Sequence, residues 1–302
     1  MGQLIADGQL RVGLLGTGPW ARTVHAPGLA DHPGTALTAV WARRPEAAQA
    51  LAETHCASAA GSLEELFEQV DAVAFAVPPA VQAELAVRAA EAGKHLILEK
   101  PIAADLAGAQ RLADAVAGAG VAALVVLTLR FSAQTQEWLA GLAEAGGWAG
   151  GGARWLSGAL LGGDYAASEW RQDDGGALFD IGPHALDMLD AALGPITEVV
   201  AARQSPGDLW HLMLAHDGGV ISTATLSLRL PVRPTVVEVA VWGQHGYRTL
   251  GRKPGSAQES YTALLDDFAA MIASGTTAHP CDVRRGLHLQ ALLAQARELA
   301  AK

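Results

Sequence analysis

The sequence predicts an α/β protein with a doubly wound parallel sheet in its N-terminal part and a C-terminal α+β domain with a mostly antiparallel open sheet. Up to residue 128, short apolar runs alternate with segments of helical periodicity, the pattern of repeated βαβ units. After residue 128 the apolar or alternating runs follow one another without helices between them, which favours antiparallel pairing. The 302 residues exceed the usual size of one hydrophobic core. Two domains are therefore expected, at 1–128 and 129–302.

The composition predicts a globular protein whose partner is a small molecule. Apolar residues make up 50% of the chain, and the net charge of -10 argues against nucleic acid or an anionic membrane as a general partner. Cys56 and Cys281 lie far apart and lack metal-ligand spacing, so neither a disulfide framework nor a metal site is expected. The N-terminus has no secretory pattern, and no stretch reaches the ~18 apolar residues of a membrane span. A cytoplasmic location fits these features best.

The first strand, 10–15, leads into a turn that contains two glycines and then into a helix. The turn residues are Gly16, Thr17, Gly18, Pro19 and Trp20. Gly16 permits a tight turn, Gly18 lets the backbone approach a pyrophosphate, and the helix that follows directs N–H groups towards the phosphates. The turn therefore predicts a dinucleotide-binding Rossmann domain in which these five residues contact the cofactor. A βα turn without a ligand is the alternative.

The second strand, 36–41, predicts which dinucleotide binds. It ends in Ala42, Arg43 and Arg44, where an NAD enzyme would carry an acid for the ribose hydroxyl. Guanidinium groups suit a 2′-phosphate because they offer a planar fork of donors. NADP is therefore the expected cofactor, with Arg43 and Arg44 among its ligands. If the two arginines only form a solvated helix start, NAD or dual use follows.

Two later turns are expected at the same edge of the sheet, because each follows a buried strand. Val77 and Pro78 form one turn, and Glu99, Lys100 and Pro101 form the other. Open α/β sheets bind ligands beyond the carboxyl ends of their strands, so Lys100 should face the ligand crevice. Pro101 keeps the preceding residues extended. We expect Val77, Pro78, Glu99 and Lys100 to contact the cofactor; a surface ion pair is the alternative for Glu99 and Lys100.

The remaining elements are predicted from periodicity. In the first domain we expect helices at 62–68, 80–92 and 105–119 and strands at 72–76, 95–98 and 122–128. In the second domain we expect a helix at 134–145, a glycine-rich bend at 146–152, strands at 153–161, 197–203, 210–215, 220–230 and 236–242, and helices at 261–274 and 284–301.

The segment 175–184, GGALFDIGPH, is the most distinctive stretch of the second domain. Pro183 suits the first position of a helix, three leucines then form one apolar stripe, and Gly194 ends the helix. This places His184 in the first turn, close to Asp180. A histidine beside a carboxylate forms an acid/base pair that its surroundings can tune. The alternative is helix capping by Asp180 with His184 as a half-buried neighbour.

Three segments together resemble the Gfo/Idh/MocA oxidoreductase family: GLLGTGPWA at the first turn, EKP at the strand end, and GGALFDIGPHALD in the second domain. The likeness extends to RF at 130–131, WR at 170–171 and DDFAAMIASG at 266–275. It implies a Rossmann domain joined to a substrate domain whose large open sheet serves oligomer contacts. A homo-oligomer, dimer or tetramer, is therefore expected.

The resemblance also implies an activity, namely reversible hydride transfer between NAD(P) and a secondary alcohol or its ketone in a sugar, cyclitol or related molecule. By motif, Lys100, Asp180 and His184 match the family's active-site residues. His184 is expected to exchange the proton, Lys100 to hold the substrate oxygen, and Asp180 to orient them. Arg171 is counted with the cofactor-binding residues. Arg130 and Arg171 are the next catalytic candidates.

Two departures from the family pattern affect these expectations. Val77 and Pro78 are followed by Gln82 where the family commonly has a histidine, so one polar contact near the cofactor is expected to differ. The segment after Tyr247 is brief, which predicts shortened loops around the substrate. Two other functions stay open: a nucleotide-binding sensor or scaffold without catalysis, and NAD-assisted glycoside hydrolysis. The missing acid near Arg43 counts against the latter.

Overall fold

The computed structural model describes residues 8–162, 165–173, 175–251 and 255–302. The chain forms two compact units. Of the described residues, the first unit contains those from Gly8 to Val126 together with Ala257–Leu287, and the second contains those from Leu127 to Ser256 together with His288–Lys302. The chain first passes from one unit to the other between Val126 and Leu127, beside the expected boundary at 128/129, and the later segment Ala257–Leu287 packs in the first unit.

The helices and strands have the following bounds. The strands are β1 Leu10–Leu15, β2 Thr35–Trp41, β3 Ser58–Ala59, β4 Ala72–Phe75, β5 His95–Leu98, β6 Ala123–Val125, β7 Trp148–Leu156, β8 Ile196–Ser205, β9 Leu209–His216, β10 Ile221–Ser227, β11 Val236–Gly243 and β12 Gly246–Leu250. The helices are α1 Ala26–Asp31, α2 Pro45–Thr54, α3 Leu63–Gln69, α4 Pro79–Glu91, α5 Leu106–Ala119, α6 Ala133–Ala145, α7 Glu169–Gln172, α8 Gly176–Leu193, α9 Ala257–Ser274 and α10 Val283–Ala300. A π-helical turn, Ala21–His25, precedes α1, and a 3₁₀ turn covers Thr128–Phe131.

The first unit contains a six-stranded sheet in the order β3-β2-β1-β4-β5-β6, with every pair parallel. This confirms the predicted doubly wound sheet. β4 is buried along its whole length, as expected for a parallel strand covered on both faces. Two helices begin where side chains cap them: Ser62 accepts a hydrogen bond from the amide of Glu65, and Asp105 accepts one from the amide of Gly108.

Helix α9 packs in the first unit through aromatic and histidine side chains. Tyr261 is fully buried and its hydroxyl bonds to His25 Nδ1 at 2.8 Å. The Phe268 ring lies edge-on to His95, with 6.4 Å between ring centres. His32 Nε2 lies 3.1 Å from Asp266 on the same helix. These contacts join residues more than 170 positions apart, so helical periodicity alone did not reveal the unit to which α9 belongs.

The second unit contains a six-stranded sheet in the order β12-β11-β7-β10-β9-β8, and only the β7–β10 pair is parallel. The predicted mostly antiparallel sheet is confirmed, and helix α8 packs against it. The strand β12 was not predicted. The glycine-rich bend was wrong in part, because β7 already begins at Trp148. A Cβ at Gly150 would lie 2.6 Å from Trp242 Nε1, so the glycines make room for this indole within a regular strand.

None of the helices in the described part of the chain is both long and apolar enough to cross a membrane.

Candidate active site

The glycine turn after β1 is shaped by its neighbour, the turn after β4. Gly16 has φ +110, and a Cβ at this position would lie 2.3 Å from the carbonyl oxygen of Ala76 and 3.1 Å from Val77 Cγ1. Only glycine fits such a position. A Cβ at Gly18 would meet no atom within 4 Å, so the backbone there is open to a ligand. The structure therefore brings the predicted glycine turn and Val77 together, with exposed backbone between β1 and the π-helical turn.

The two arginines after β2 lie close to this turn. The amide of Gly16 donates to the carbonyl of Trp41, the last residue of β2, at 2.9 Å. Arg43 and Arg44 follow within three residues and are both exposed. Arg44 is the N-cap residue of α2, and Pro45 occupies the first turn. Two cations beside a helix N-terminus are a group of residues that can bind an anion.

The turn that carries Lys100 is held by the side chain of Gln82, which is fully buried in α4. Its amide nitrogen donates to the carbonyl of Glu99 at 2.7 Å and to that of Ile102 at 3.2 Å, with a longer contact of 3.4 Å to the carbonyl of Pro101. Its amide oxygen accepts from the amide of Glu99 at 2.8 Å. Gln82 thus pairs with both backbone groups of Glu99, directly before the partly exposed Lys100.

The carboxylate of Glu99 is bound within the first unit. Its Oε1 accepts a hydrogen bond from Trp20 Nε1 at 2.8 Å and contacts His25 Nε2 at 2.9 Å. Because the carboxylate can only accept, His25 Nε2 donates to Glu99, and in a neutral imidazole Nδ1 accepts from the Tyr261 hydroxyl. Burial, and secondarily the Glu99 charge, raises the pKa of Tyr261 well above its usual value, so the hydroxyl remains a donor.

These contacts reveal residues that the sequence analysis missed. Glu99 and Trp20 were each expected at the cofactor, whereas the structure pairs their side chains with each other. His25 and Tyr261 were not singled out. The available signal was a histidine on a helix face that is otherwise apolar, since Val24 and Leu29 are buried beside it. Nothing local connects that histidine to Tyr261, which lies 236 residues further along the chain.

Helix α8 begins earlier than predicted. Its first residue is Gly176, so Pro183 lies inside the helix and His184 lies in its third turn. A Cβ at Gly176 would lie 1.9 Å from the carbonyl oxygen of Arg171, which only glycine permits. The carboxylate of Asp208, in the turn between β8 and β9, accepts from the amide of Ala177 at 2.7 Å. This cap comes from 31 residues away, which explains why the local pattern did not indicate the true start.

Three polar residues of α8 share one helix face. Asp180, His184 and Asp187 stand at positions i, i+4 and i+7, whereas the opposite face carries buried leucines. Arg171 donates from Nε to Asp180 Oδ2 at 2.9 Å and from Nη2 to Asp180 Oδ1 at 3.4 Å. At the other end, Arg130 Nη1 lies 3.0 Å from Asp187 Oδ1. The polar face of α8 is therefore an acid–histidine–acid row with an arginine on each acid.

His184 is buried within this row, with 6% of its surface exposed. The indole of Trp155 on β7 stacks on its ring, with 5.7 Å between ring centres and 28° between the planes. One face of the imidazole is thereby covered. The guanidinium of Arg171 is also enclosed, with Trp170 and Tyr165 rings 4.2 and 4.8 Å from its central carbon. The structure thus gathers the predicted residues Arg171, Asp180 and His184 in the second unit.

The predicted residues therefore form two groups, one in each unit. The first group contains Gly16, Thr17, Gly18, Pro19, Trp20, Arg43, Arg44, Val77, Pro78, Glu99 and Lys100, and the second contains Arg171, Asp180 and His184. Across residues 8–162, 165–173, 175–251 and 255–302, no group of three or more histidine, cysteine, aspartate or glutamate side chains could hold a metal ion.

The six-stranded parallel sheet of the first unit is that of a dinucleotide-binding Rossmann fold, and the second unit is a separate α+β unit. Residues 10–127 match the Gfo/Idh/MocA oxidoreductase family with its NAD-binding Rossmann fold. Residues 153–248 match the Gfo/Idh/MocA C-terminal domain. The chain belongs to the Gfo/Idh/MocA oxidoreductase family, as its three sequence segments had indicated.

Individual relatives agree with this assignment. The chain is 38% identical over 191 residues to a dTDP-3,4-didehydro-2,6-dideoxy-alpha-D-glucose 3-reductase of Streptomyces violaceoruber. The matched stretch covers 61% of this chain and 55% of the relative's length. An uncharacterised oxidoreductase of Synechocystis sp. is 30% identical over 261 residues, covering 81% of this chain and 70% of the relative. The crystal structure of GenD2 from gentamicin A biosynthesis, in complex with NAD, shares the fold with a TM-score of 0.84 at 20% identity, covering 100% and 96% of the two chains.

Proposed function

We propose that this protein is an NADP-linked oxidoreductase that transfers hydride between the nicotinamide and a secondary alcohol or ketone carbon of a sugar, cyclitol or related small molecule. The polar face of α8 carries the proposal, because it holds a histidine between two fixed carboxylates in a member of an oxidoreductase family. The first relative supports a sugar substrate, since its name describes a reductase of a keto sugar. We further propose the cytoplasm as the location.

The chain's own residues would handle the proton of this reaction. When bound, the nicotinamide accepts or supplies the hydride, and the substrate oxygen must lose or gain a proton in the same event. His184 suits that exchange because imidazole titrates near neutral pH. Arg171 fixes the Asp180 carboxylate one helical turn before His184, so Asp180 would orient the histidine or its substrate. The Lys100 ammonium would hold the developing alkoxide.

The preference for NADP rests on the arginines that follow β2. Arg43 and Arg44 are exposed, and no acid lies at the position where a ribose hydroxyl would need one. A phosphate held by a guanidinium fork is worth about 1.5–3 kcal/mol per charged hydrogen bond, or roughly 10- to 100-fold in affinity. The arginines therefore favour NADP over NAD.

Titration of wild-type protein and Arg43→Ala with both cofactors tests this preference. We expect wild type to bind NADP more tightly than NAD, and Arg43→Ala to weaken NADP about 10-fold or more with little effect on NAD. Arg111→Ala, an exposed arginine on α5, is the matched control and should leave both affinities unchanged. Tighter binding of NAD by wild type, or equal weakening of both cofactors by Arg43→Ala, would show that this arginine does not read the phosphate.

We also propose a homo-oligomer, dimer or tetramer, that forms through the sheet of the second unit. Five large apolar side chains on its strands are each more than 40% exposed: Val200, Met213, Ile221, Trp242 and Tyr247. The Trp242 and Tyr247 rings stack with only 7° between their planes, which gives the sheet a flat apolar edge. Exposed apolar patches of this kind favour association.

A further inference from the structure

We propose that Arg229 binds an anionic group of the substrate, either a phosphate or a carboxylate. The inference rests on the proposed function, because it names a chemical group that an oxidoreductase substrate of this protein would carry. It concerns a residue that neither the sequence motifs nor the glycine turn involve.

Arg229 has a guanidinium whose bonding is incomplete. It follows β10 by two residues and is partly exposed. Its Nη2 donates to the backbone carbonyl of Gln172 at 2.7 Å, while its Nε is buried without an acceptor. Nη1 makes no hydrogen bond, and no carboxylate lies within ion-pair distance, among the residues that the structure describes. Within that part of the chain, the neutral carbonyl of Gln172 is therefore the only hydrogen-bonding partner of the Arg229 side chain.

Two other arginines of the second unit, in contrast to Arg229, each form an ion pair with a carboxylate. Arg130 pairs with Asp187 at 3.0 Å, and Arg171 pairs with Asp180 at 2.9 Å. Their side chains are 14% and 19% exposed, so both are partly buried and both have a carboxylate. A partly buried cation without a counter-charge costs free energy, which an anionic ligand would recover. Guanidinium is the side chain whose planar donors best match the oxygens of phosphate and carboxylate.

Contacts within the second unit connect Arg229 with the polar face of α8. Gln172, whose carbonyl it binds, directly follows Arg171, and Arg171 holds Asp180. Leu226, three residues before Arg229, pairs with Trp155 on β7, and Trp155 stacks on His184. Arg229 is thus linked to Asp180 through Gln172 and Arg171, and β10, which precedes Arg229, pairs with the strand that carries Trp155. We therefore assign the anion to the substrate of the proposed reaction.

A purely structural role for Arg229 would be to hold the last carbonyl of α7. Arg229→Gln removes the charge, but its amide nitrogen stands where Nε now stands, two bonds short of Nη2. The melting temperature is therefore measured beside the affinity, so that loss of the Gln172 contact is seen separately. Arg233→Gln is the matched control, since Arg233 is an exposed arginine four residues further on. Arg229→Met is the second variant; it keeps an aliphatic stem but has neither a charge nor a hydrogen-bond donor.

The test is calorimetric titration of the NADP-saturated protein with two probes, thymidine diphosphate for the phosphate and D-glucuronate for the carboxylate. Saturation with NADP keeps the probes out of the dinucleotide site. We expect wild type to bind one probe, Arg229→Gln to weaken that binding about 10-fold or more, and Arg233→Gln to bind like wild type. The probe that binds identifies the anion.

Unchanged binding by Arg229→Gln would overturn the proposal, as would equal weakening by Arg233→Gln. Failure of both probes to bind wild type at concentrations of about 10 mM would also overturn it. If Arg229→Gln does not fold, Arg229→Met decides, and wild-type affinity in that variant counts against the proposal. Wild-type protein that fails to take up NADP or NAD contradicts the proposed function instead, so the two failures are distinguishable.

Discussion

Replacement of Gln82 by methionine should loosen the turn that carries Lys100. Methionine has a similar length but leaves the amide and the carbonyl of Glu99 without the partners that now lie at 2.8 and 2.7 Å. A buried polar group that loses its partner costs about 1–3 kcal/mol, and we take the lower part of that range because Glu99 is partly exposed. The two groups together give about 2–4 kcal/mol, which corresponds to roughly 30- to 1,000-fold in a local opening equilibrium.

Native-state hydrogen exchange of the Glu99 amide measures this opening directly, because that amide donates to Gln82. We expect its exchange in Gln82→Met to accelerate by about 30-fold or more, up to the limit set by global unfolding. Gln110→Met, on the exposed face of α5, is the control and should change the exchange little. If Gln82→Met protected the Glu99 amide as well as the control does, Gln82 would not be holding this turn.

Two further predictions concern stability and assembly. Burial lowers the pKa of His95, whose Nδ1 accepts from the amide of Ala122, so the unfolded chain binds the proton more readily than the folded chain. The free energy of unfolding of wild type should therefore fall as the pH drops below about 6.5. Denaturant titrations at several pH values should show a smaller fall in His95→Asn, and an unchanged fall in the exposed control His211→Asn. A pH slope unchanged in His95→Asn would contradict this. Ile221→Glu should convert the proposed oligomer to a monomer in light scattering, and a wild type that is already monomeric at micromolar concentration would remove the proposal.

The sequence was most informative where structure depends on neighbouring residues. The helices predicted at 62–68 and 105–119 lie within one residue of those bounds, because side chains at their starts, Ser62 and Asp105, cap them locally. The turn after β1 could also be predicted from the sequence, because its position Gly16 has a positive φ, which few residues other than glycine tolerate.

Contacts between distant residues account for what the sequence did not indicate. Helix α8 starts at Gly176 because Asp208 caps it from the turn between β8 and β9. The glycines of β7 lie in a strand that pairs with β11, and Gly150 leaves room for the Trp242 indole of that neighbouring strand. Gln82 was noted as a departure from the family pattern near the cofactor, whereas its observed partners are backbone groups of residues 99–102. The periodicity of apolar residues along the sequence does not indicate such contacts.

The central claim is that Lys100 and His184 act on the substrate of an NADP-linked oxidoreductase. Oxidation of NADPH should be followed by absorbance with a panel of keto sugars, cyclitol ketones and small ketones, first in wild type and then in Lys100→Met and His184→Ala. We expect turnover with at least one class of ketone. Each substitution should lower kcat/KM by about 100-fold or more and change NADP affinity far less, whereas the exposed control His211→Ala should behave like wild type. Near wild-type turnover in either Lys100→Met or His184→Ala would contradict the account.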